Sequence, residues 1–254
     1  MFKTTLRLCL SAVVLALPAM PVLASGDTPH PPKQDWSFSG PFGTYDRGAL
    51  QRGYKVYREV CSACHSMQHV SFRNLEALGY DEAQIKNIAA NYTVIDGPDD
   101  EGEMFERPAL PSDAFPSPYP NKQAAKAANG AYPPDLSLIT KARHGGADYV
   151  YAILTGFTEP EHGVTLTEGQ HYNKYMPGHV IAMAPPLSDD QVAYEDGSPT
   201  TVQQYAKDVS HFLTWAAEPE MEDRKRIGLQ VLIFLLVFAG IMYGVKKKIW
   251  ADVH

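Results

Sequence analysis

The pattern of apolar and polar residues predicts one membrane-spanning segment near the end of the chain. Residues 227–245 carry no charge and lie between two basic clusters, residues 224–226 and 246–248. At about 1.5 Å per residue, this run reaches across a hydrocarbon core of about 30 Å. A buried core helix is the alternative, but the two basic flanks argue against it. We therefore predict a C-terminal anchor over residues 224–248 and a short tail over residues 249–254.

Before the anchor, the spacing of apolar residues predicts a mainly helical domain. The segment after Asp46 is typical of a capped helix that runs to about Val60. A second helix is predicted over residues 147–154, and Gly156 is a suitable C-terminal cap for it. We find no convincing run of alternating apolar and polar residues, so we predict no regular strands.

A third helix is predicted close to the anchor. Ser198 and Pro199 are typical of an N-cap and a first helical residue, and apolar residues then recur at helical spacing to Ala217. We expect this helix to cross the one that follows Asp46. In that crossing, Gly53 would allow close backbone approach to an aromatic residue such as Tyr205.

The first residues are typical of a secretory signal. Lys3 and Arg7 precede an apolar run over residues 8–17, and Ala24 occupies a suitable cleavage position. An uncleaved anchor is the alternative, but the apolar run is short for a span of about 20 residues. We predict a signal peptide over residues 1–24 and one exported domain over residues 25–223.

The predicted exported domain is strongly acidic, although the whole chain has a net charge of only −7. Residues 25–223 contain 28 acidic side chains and 14 basic ones, a net charge of −14. Such a domain repels nucleic acid and attracts basic partners. Residues 96–121 combine six prolines with an acidic cluster, which predicts a long surface loop. Docking of a partner and simple solvation both remain open for this loop.

The sequence Cys61-Ser62-Ala63-Cys64-His65 carries the chemistry. A C-x-x-C-H run is the attachment site of a c-type haem, because two thiols one turn apart reach the vinyl groups of one porphyrin. Half of a zinc site and a redox dithiol are the alternatives. Zinc needs about four ligands, and the only other cysteine, Cys9, lies in the predicted signal peptide. We predict one covalent haem c on Cys61 and Cys64, with His65 as an axial ligand.

An electron carrier also needs a sixth ligand on the iron, and a thioether raises the potential. Met176 and Met183 lie in proline-containing irregular segments that can present a sulfur atom. Spacing slightly favours Met183 and leaves Met176 open. Four histidines are possible rivals that would give bis-histidine ligation: His144, His162, His171 and His179.

Several segments together resemble the cytochrome c1 family, the haem subunits of the cytochrome bc1 complex. The resemblance runs from about Trp36 to the end of the predicted span, and the order and spacing of its motifs are specific. The matching segments are residues 60–67, 129–137, 142–150, 182–186, 206–209 and 215–220. Some bacterial relatives carry a further cysteine pair, whereas this chain has no cysteine after Cys64. The segment around Met183 must therefore be held by packing and prolines.

The resemblance implies a mainly α, class I cytochrome c-like fold with long loop insertions and one C-terminal transmembrane helix. It implies that Met183 is the axial methionine. It also places Arg143 near a haem propionate, and Asn129, Pro134 and Tyr149 in the haem pocket.

For function, the resemblance implies a subunit that carries one electron from the Rieske iron–sulfur protein to a cytochrome c. The complex would be an oxidoreductase that also contains cytochrome b and is dimeric, while this chain would supply no catalytic acid, base or nucleophile. The signal predicts a single-pass protein of the bacterial inner membrane, with the haem domain on the periplasmic side. Two alternatives remain: a tethered c-type cytochrome of another respiratory complex, and a haem enzyme or sensor with an open iron.

Overall fold

The structure is a computed structural model that describes residues 30–252. The predicted signal peptide, residues 1–24, lies outside the described residues. Six α-helices are assigned within the described range: α1 Arg47–Glu59, α2 Glu82–Ala90, α3 Lys122–Asn129, α4 Ala147–Thr155, α5 Val202–Ala217 and α6 Met221–Ile249. Six short strands accompany them: β1 Met67–Ser71, β2 Thr93–Asp96, β3 Phe105–Pro108, β4 Ala114–Phe115, β5 His171–Tyr172 and β6 Val180–Ile181. The expectation of a mainly helical chain is confirmed.

Helix α1 forms as the sequence predicts. The Asp46 carboxylate accepts a hydrogen bond from the amide of Ala49 at 3.2 Å, so it satisfies one of the free N–H groups at the helix start. Leu50, Tyr54 and Tyr57 lie along one face of the helix and are almost fully buried. The amphipathic pattern therefore places one side of α1 in the core.

Helix α5 begins three residues later than the sequence predicts. Ser198 does not cap the helix, because its amide and hydroxyl both donate to the Asp196 carboxylate at 3.0 Å. Thr201 is the cap instead, and its hydroxyl accepts from the amide of Gln204 at 3.3 Å. Ser198, the predicted cap, therefore forms part of a turn before the helix.

The crossing of α1 and α5 is the central contact of the domain. A Cβ atom added at Gly53 would lie 2.1 Å from the carbonyl oxygen of Asp208 and 2.7 Å from Cβ of Phe212. Gly53 thus allows the predicted close approach, although the facing residues are Asp208 and Phe212. Tyr205 lies elsewhere, and its hydroxyl donates to the carbonyl of Val192 at 2.6 Å.

A buried ion pair and a group of aromatic rings extend this contact. The Arg52 guanidinium on α1 donates to the Asp208 carboxylate on α5 at 2.9 Å, and the Asp208 side chain is 1% exposed. The rings of Tyr54 and Phe212 have centroids 5.7 Å apart, and Phe115 of β4 packs on Tyr54 at 6.1 Å. The core therefore joins the first and fifth helices to the segment after α2.

Residues 96–121 contain regular structure, whereas the sequence predicted only a loop. Strands β2 and β3 form an antiparallel hairpin in which Asp96 pairs with Phe105. Strand β4 pairs with β1, so that Phe115 lies opposite Met67. The Arg107 guanidinium holds the segment together, since it donates to the carboxylates of Asp96 and Asp113.

Helix α6 follows α5 almost directly. The predicted span and both basic clusters form one continuous helix of 29 residues, and none of the residues of its uncharged run is buried. The helix is long and apolar enough to cross a membrane.

Candidate haem-binding site

Helix α1 delivers the C-x-x-C-H sequence to the surface of the core. The chain tightens into a 3₁₀ turn over Cys61–Ala63, where the amides of Cys64 and His65 both donate to the carbonyl of Cys61, at 3.1 and 2.9 Å. Both thiols are free and half-buried. The turn therefore presents two thiols and an imidazole within five residues.

The surroundings of the thiols do not suit a redox dithiol. Burial, with a smaller contribution from Cys64, raises the pKa of the Cys61 thiol to about 12. Redox dithiols need a depressed thiol pKa, because the thiolate is the nucleophile. Within residues 30–252, no group of three or more His, Cys, Asp or Glu side chains could hold a metal ion. Zinc would need such a set, since it takes about four protein ligands in a structural site.

His65 is held in the form that binds iron. Its Nδ1 lies 2.8 Å from the carbonyl oxygen of Pro134. A carbonyl can only accept, so Nδ1 carries the proton and Nε2 keeps a free lone pair. Burial lowers the pKa of the imidazole, although the bond to Pro134 and the charge of Asp135 oppose that shift. The ring is therefore neutral at pH 7 and can donate electrons to a metal through Nε2.

Asp135 fixes the position of Pro134, a role that the sequence analysis missed. Its carboxylate accepts from the hydroxyl of Ser66 at 2.7 Å and from the amides of Gln68 and Ser137, each at 2.9 Å. Burial raises the pKa of Asp135, but these hydrogen bonds outweigh it and lower the pKa below its ordinary value. Asp135 thus ties the residues that follow His65 to the carbonyl that orients its ring. The feature of the sequence that could have indicated this role is an acidic residue directly after two prolines.

The candidate sulfur ligands lie on a separate unit, the β5–β6 hairpin. Met176 is in the loop of this hairpin, and its sulfur lies 3.8 Å from the hydroxyl of Tyr149 on α4. Met183 lies two residues beyond β6, in the bend before Pro185, and its side chain is half-buried. The structure therefore joins Tyr149 to Met176, while the role of Met183 stays a prediction.

Asn173 anchors this hairpin to α4, which is a second role that the sequence analysis missed. Its side chain is fully buried, donates to the carbonyl of Ile153 at 2.7 Å and accepts from the amide of Tyr175 at 3.0 Å. Its own amide donates to the carbonyl of His179 at 2.9 Å. Asn173 thereby holds the loop that carries Met176 against the end of α4.

The remaining predicted site residues lie at separate places. Arg143 is exposed, and its guanidinium donates to the carbonyl of Ala142. Asn129 is half-buried at the end of α3, where its side chain donates to the carbonyl of Ala125 at 2.8 Å. Neither residue contacts His65 through a hydrogen bond in the described part of the chain, so their proximity to a haem stays a prediction.

Among the rival histidines, His144 and His162 are exposed, and His171 and His179 are half-buried. The Nδ1 atom of His179 is itself buried and has no hydrogen-bond partner in the part of the chain that the structure describes. His179 stacks on Tyr172, with ring centroids 5.5 Å apart.

Taken together, these residues suit a covalently bound haem. Cys61 and Cys64 can form the thioethers, His65 offers a neutral imidazole nitrogen, and the β5–β6 unit supplies two methionine sulfurs. A cavity of about 160 Å³ is lined by Cys64, by Pro133 and by residues around the start of α3, and by neither methionine.

A mainly helical chain with C-x-x-C-H at the end of its first helix and a long apolar helix at its far end has the features of a membrane-anchored c-type cytochrome. The family model described as the Cytochrome C1 family matches residues 36–253. The chain therefore belongs to the cytochrome c1 family, whose members are the haem subunits of the cytochrome bc1 complex and carry a covalently bound haem c.

Three relatives illustrate the similarity. The chain is 56% identical over 255 residues to a protein named cytochrome b/c1 from Bradyrhizobium diazoefficiens, with 91% of this chain and 37% of that protein covered. It thus spans little more than a third of that relative. It is 49% identical to cytochrome c1 of Rhodospirillum rubrum, over 87% of this chain and 88% of that protein. It is 51% identical to the mitochondrial cytochrome c1 haem protein of Saccharomyces cerevisiae, over 88% of this chain and 73% of that protein.

Proposed function

We propose that this chain relays single electrons from a Rieske iron–sulfur protein to a cytochrome c. The observation that carries the proposal is His65, whose Nδ1 proton is held by Pro134 so that Nε2 can ligate an iron. A haem with both axial positions filled exchanges electrons and does not bind substrate. The protein then contributes position and potential, and no side chain has to act as acid, base or nucleophile.

In this proposal, Cys61 and Cys64 would hold the haem through thioether bonds, and His65 and Met183 would ligate its iron. Two observations support Met183 over Met176. The sulfur of Met176 already has a hydrogen-bond partner in Tyr149. Met183 has no such partner among the hydrogen bonds of the described residues.

The ligand assignment is tested with two matched variants, Met183→Leu and Met176→Leu, in the purified complex. Met183→Leu should abolish the far-red thioether band of the oxidised protein, lower the reduction potential and allow carbon monoxide to bind. Met176→Leu should keep the wild-type spectrum. The opposite pattern would show that Met176 is the ligand. Carbon monoxide binding to the wild type would instead indicate an enzyme or sensor with an open iron.

We propose that α6 anchors the chain in the bacterial inner membrane, with the domain of residues 25–223 on the periplasmic side and residues 249–254 in the cytoplasm. The uncharged run of α6 and its basic flanks support this arrangement. Carbonate extraction should leave the chain in the membrane fraction. Protease added to spheroplasts should remove the haem domain, and a protected domain would contradict the orientation.

Cytochrome b is the proposed neighbour of α6. The name of the Bradyrhizobium relative, cytochrome b/c1, supports this pairing. Affinity purification of this chain from membranes should recover a cytochrome b and a Rieske protein in equal amounts. Recovery with the subunits of a different respiratory complex would refute the assignment.

The acidic β2–β3 hairpin is the proposed docking surface for a basic cytochrome c. Asp100, Glu101, Glu103 and Glu106 are exposed there, and the tip is held in shape because the Asp99 carboxylate accepts from the amides of Glu101 and Glu103. Charges of this kind raise the rate of encounter more than the affinity.

The docking surface is tested by the rate of cytochrome c reduction at different salt concentrations. The rate should fall as ionic strength rises, and Asp100→Asn with Glu106→Gln should lower both the rate and its salt dependence. Asp35→Asn with Glu76→Gln removes the same charge from exposed positions outside the hairpin and serves as the control. A rate that is independent of salt below about 0.1 M, where the screening length exceeds about 10 Å, would contradict this docking surface.

A further inference from the structure

A basic cavity lies where the domain meets α6. It has a volume of about 340 Å³, and its lining includes Lys141, Arg224 and Lys225, one acidic residue, Glu218, and the apolar side chains of Phe38 and Met221. The lining therefore carries an excess of positive charge, although residues 25–223 have a net charge of −14. A cationic cavity on an acidic domain indicates an anionic ligand.

The position of the cavity along α6 matches the headgroup layer of a bilayer. The uncharged run begins at Ile227, so Arg224 is about 4.5 Å and Met221 about 9 Å beyond it at 1.5 Å per residue. The headgroup region adds roughly 5–7 Å to each side of the hydrocarbon core. Arg224 thus lies at the depth of the lipid phosphates and Met221 just beyond it on the side of the domain, provided that α6 spans the membrane as proposed above.

Among the three basic residues that line the cavity, Lys225 is the one whose charge has no carboxylate partner in the described part of the chain. Its ammonium donates to the carbonyl oxygens of Phe38 and Gly43, at 2.7 and 3.0 Å. A lysine has three N–H donors, so one remains. Within residues 30–252, no carboxylate oxygen lies within 4.0 Å of this ammonium. The charge of Lys225 is therefore fixed in place without an acidic partner.

Lys141 and Arg224 share one counter-charge. The Glu218 carboxylate lies 2.8 Å from the Lys141 ammonium and 2.5 Å from the Arg224 guanidinium. One carboxylate cannot neutralise two cations, and both side chains are more than half exposed. Phe38 and Met221 provide apolar surface beside them.

We propose that this cavity binds the phosphate of an anionic phospholipid, with its acyl chains directed along α6. Lys225, Lys141 and Arg224 contact the phosphate oxygens, and the apolar side chains of Phe38 and Met221 close the cavity on the side of the haem domain. The bound lipid fixes the distance between the haem domain and the membrane surface.

The test uses the purified, delipidated complex and phosphatidylglycerol in nanodiscs, with lipid binding measured by native mass spectrometry. Lys141→Gln with Arg224→Gln should weaken binding about thirtyfold, since each basic residue at a membrane surface contributes roughly fivefold. Glu218→Gln should tighten binding about fivefold for the same reason. Lys126→Gln with Lys207→Gln removes two positive charges from exposed positions of the haem domain, away from the anchor and outside the cavity, and should leave the affinity unchanged.

Equal affinity of the wild type and the Lys141→Gln/Arg224→Gln variant would overturn the proposal. Equal binding of phosphatidylcholine would also overturn it, because anionic charge would then play no part. Competition by inorganic phosphate at the lipid concentration would show a site for free anions instead. Carbonate extraction of each variant reports separately on the anchor, so failure of the span and failure of the lipid site are distinguishable.

Discussion

Replacement of Gly53 by alanine tests whether the crossing of α1 and α5 sets the stability of the haem domain. The new Cβ would lie 2.1 Å from the carbonyl oxygen of Asp208, whereas real Cβ atoms essentially never come closer than 3.0 Å. The nearest clashing atom belongs to the backbone, so no rotation of a side chain can relieve the clash. The two helices must therefore separate by about 1 Å at their closest point.

The expected cost follows from the packing at this point. A gap of about 1 Å removes a quarter to a half of the dispersion energy across it, and Tyr54 and Phe212, which pack there, are almost fully buried. Removal of a whole buried aromatic costs about 3–5 kcal/mol. A quarter to a half of that cost for the two rings is about 1.5–5 kcal/mol. About 1 kcal/mol is regained because alanine favours helix over glycine, so Gly53→Ala should lower the free energy of unfolding by about 2–3 kcal/mol, near the middle of the remaining range.

For a domain of this size, that loss corresponds to a fall of roughly 5–10 °C in the thermal midpoint. The midpoint is measured by circular dichroism of the haem band in the purified complex. Mass spectrometry measures the fraction of chains with covalent haem, which should fall because Cys61 and Cys64 lie in the turn that directly follows α1. Gly48→Ala on the same helix is the control, since its Cβ would meet only side-chain atoms, at 3.3 and 3.4 Å. A Gly53→Ala midpoint within about 1 °C of the wild type would refute the reasoning.

Three further substitutions probe other buried groups. Burial lowers the pKa of His211 to about 4, and its Nε2 accepts a hydrogen bond from the amide of Asp46 at 3.2 Å. Below about pH 6.5 the imidazole is protonated in the unfolded chain but not in the folded one, so the free energy of unfolding should fall by up to about 3 kcal/mol between pH 6.5 and 4. His211→Gln should remove this pH dependence in urea titrations. Asp135→Asn should lower the free energy of unfolding by about 2 kcal/mol in thermal melts. It should also shift the haem potential in a redox titration while the thioether band remains, and an unchanged potential would refute the positioning role of Asp135. Asn173→Ala leaves a buried carbonyl and amide unpaired, so it should cost about 2–4 kcal/mol and speed proteolysis near Met176; unchanged proteolysis would contradict the anchor.

Helix signals were readable in the sequence where nothing competed with them. Asp46 caps α1 and Gly156 follows α4 as predicted, because a cap or a terminal glycine acts over a few residues. The predicted start of α5 was wrong because Ser198 donates to Asp196 instead of capping the helix. Residue preferences alone do not show which of these two hydrogen-bonding arrangements forms. Helices α2 and α3 bury two residues and one residue, so their apolar periodicity was too weak to indicate them, although Asp81 and Asn121 cap them.

The strands were missed for a different reason. Each has two to five residues, and Met67 pairs with Phe115, which is far along the chain. Alternation over so few positions carries little information, and long-range pairing leaves no local mark. Residues 96–121 therefore looked like a loop, although Arg107 joins two carboxylates there.

The two halves of the candidate site differ in how they are supported, which determines what substitutions should do. His65 follows a helix whose face is buried in the core, and its ring is oriented by Pro134, which is 69 residues away in the chain. The candidate sulfur ligands follow two-residue strands that the buried side chain of Asn173 ties to α4. Changes on the histidine side should therefore alter folding, haem attachment and potential together. Changes at Met183 should alter mainly the iron, because its half-buried side chain is not part of the hydrophobic core.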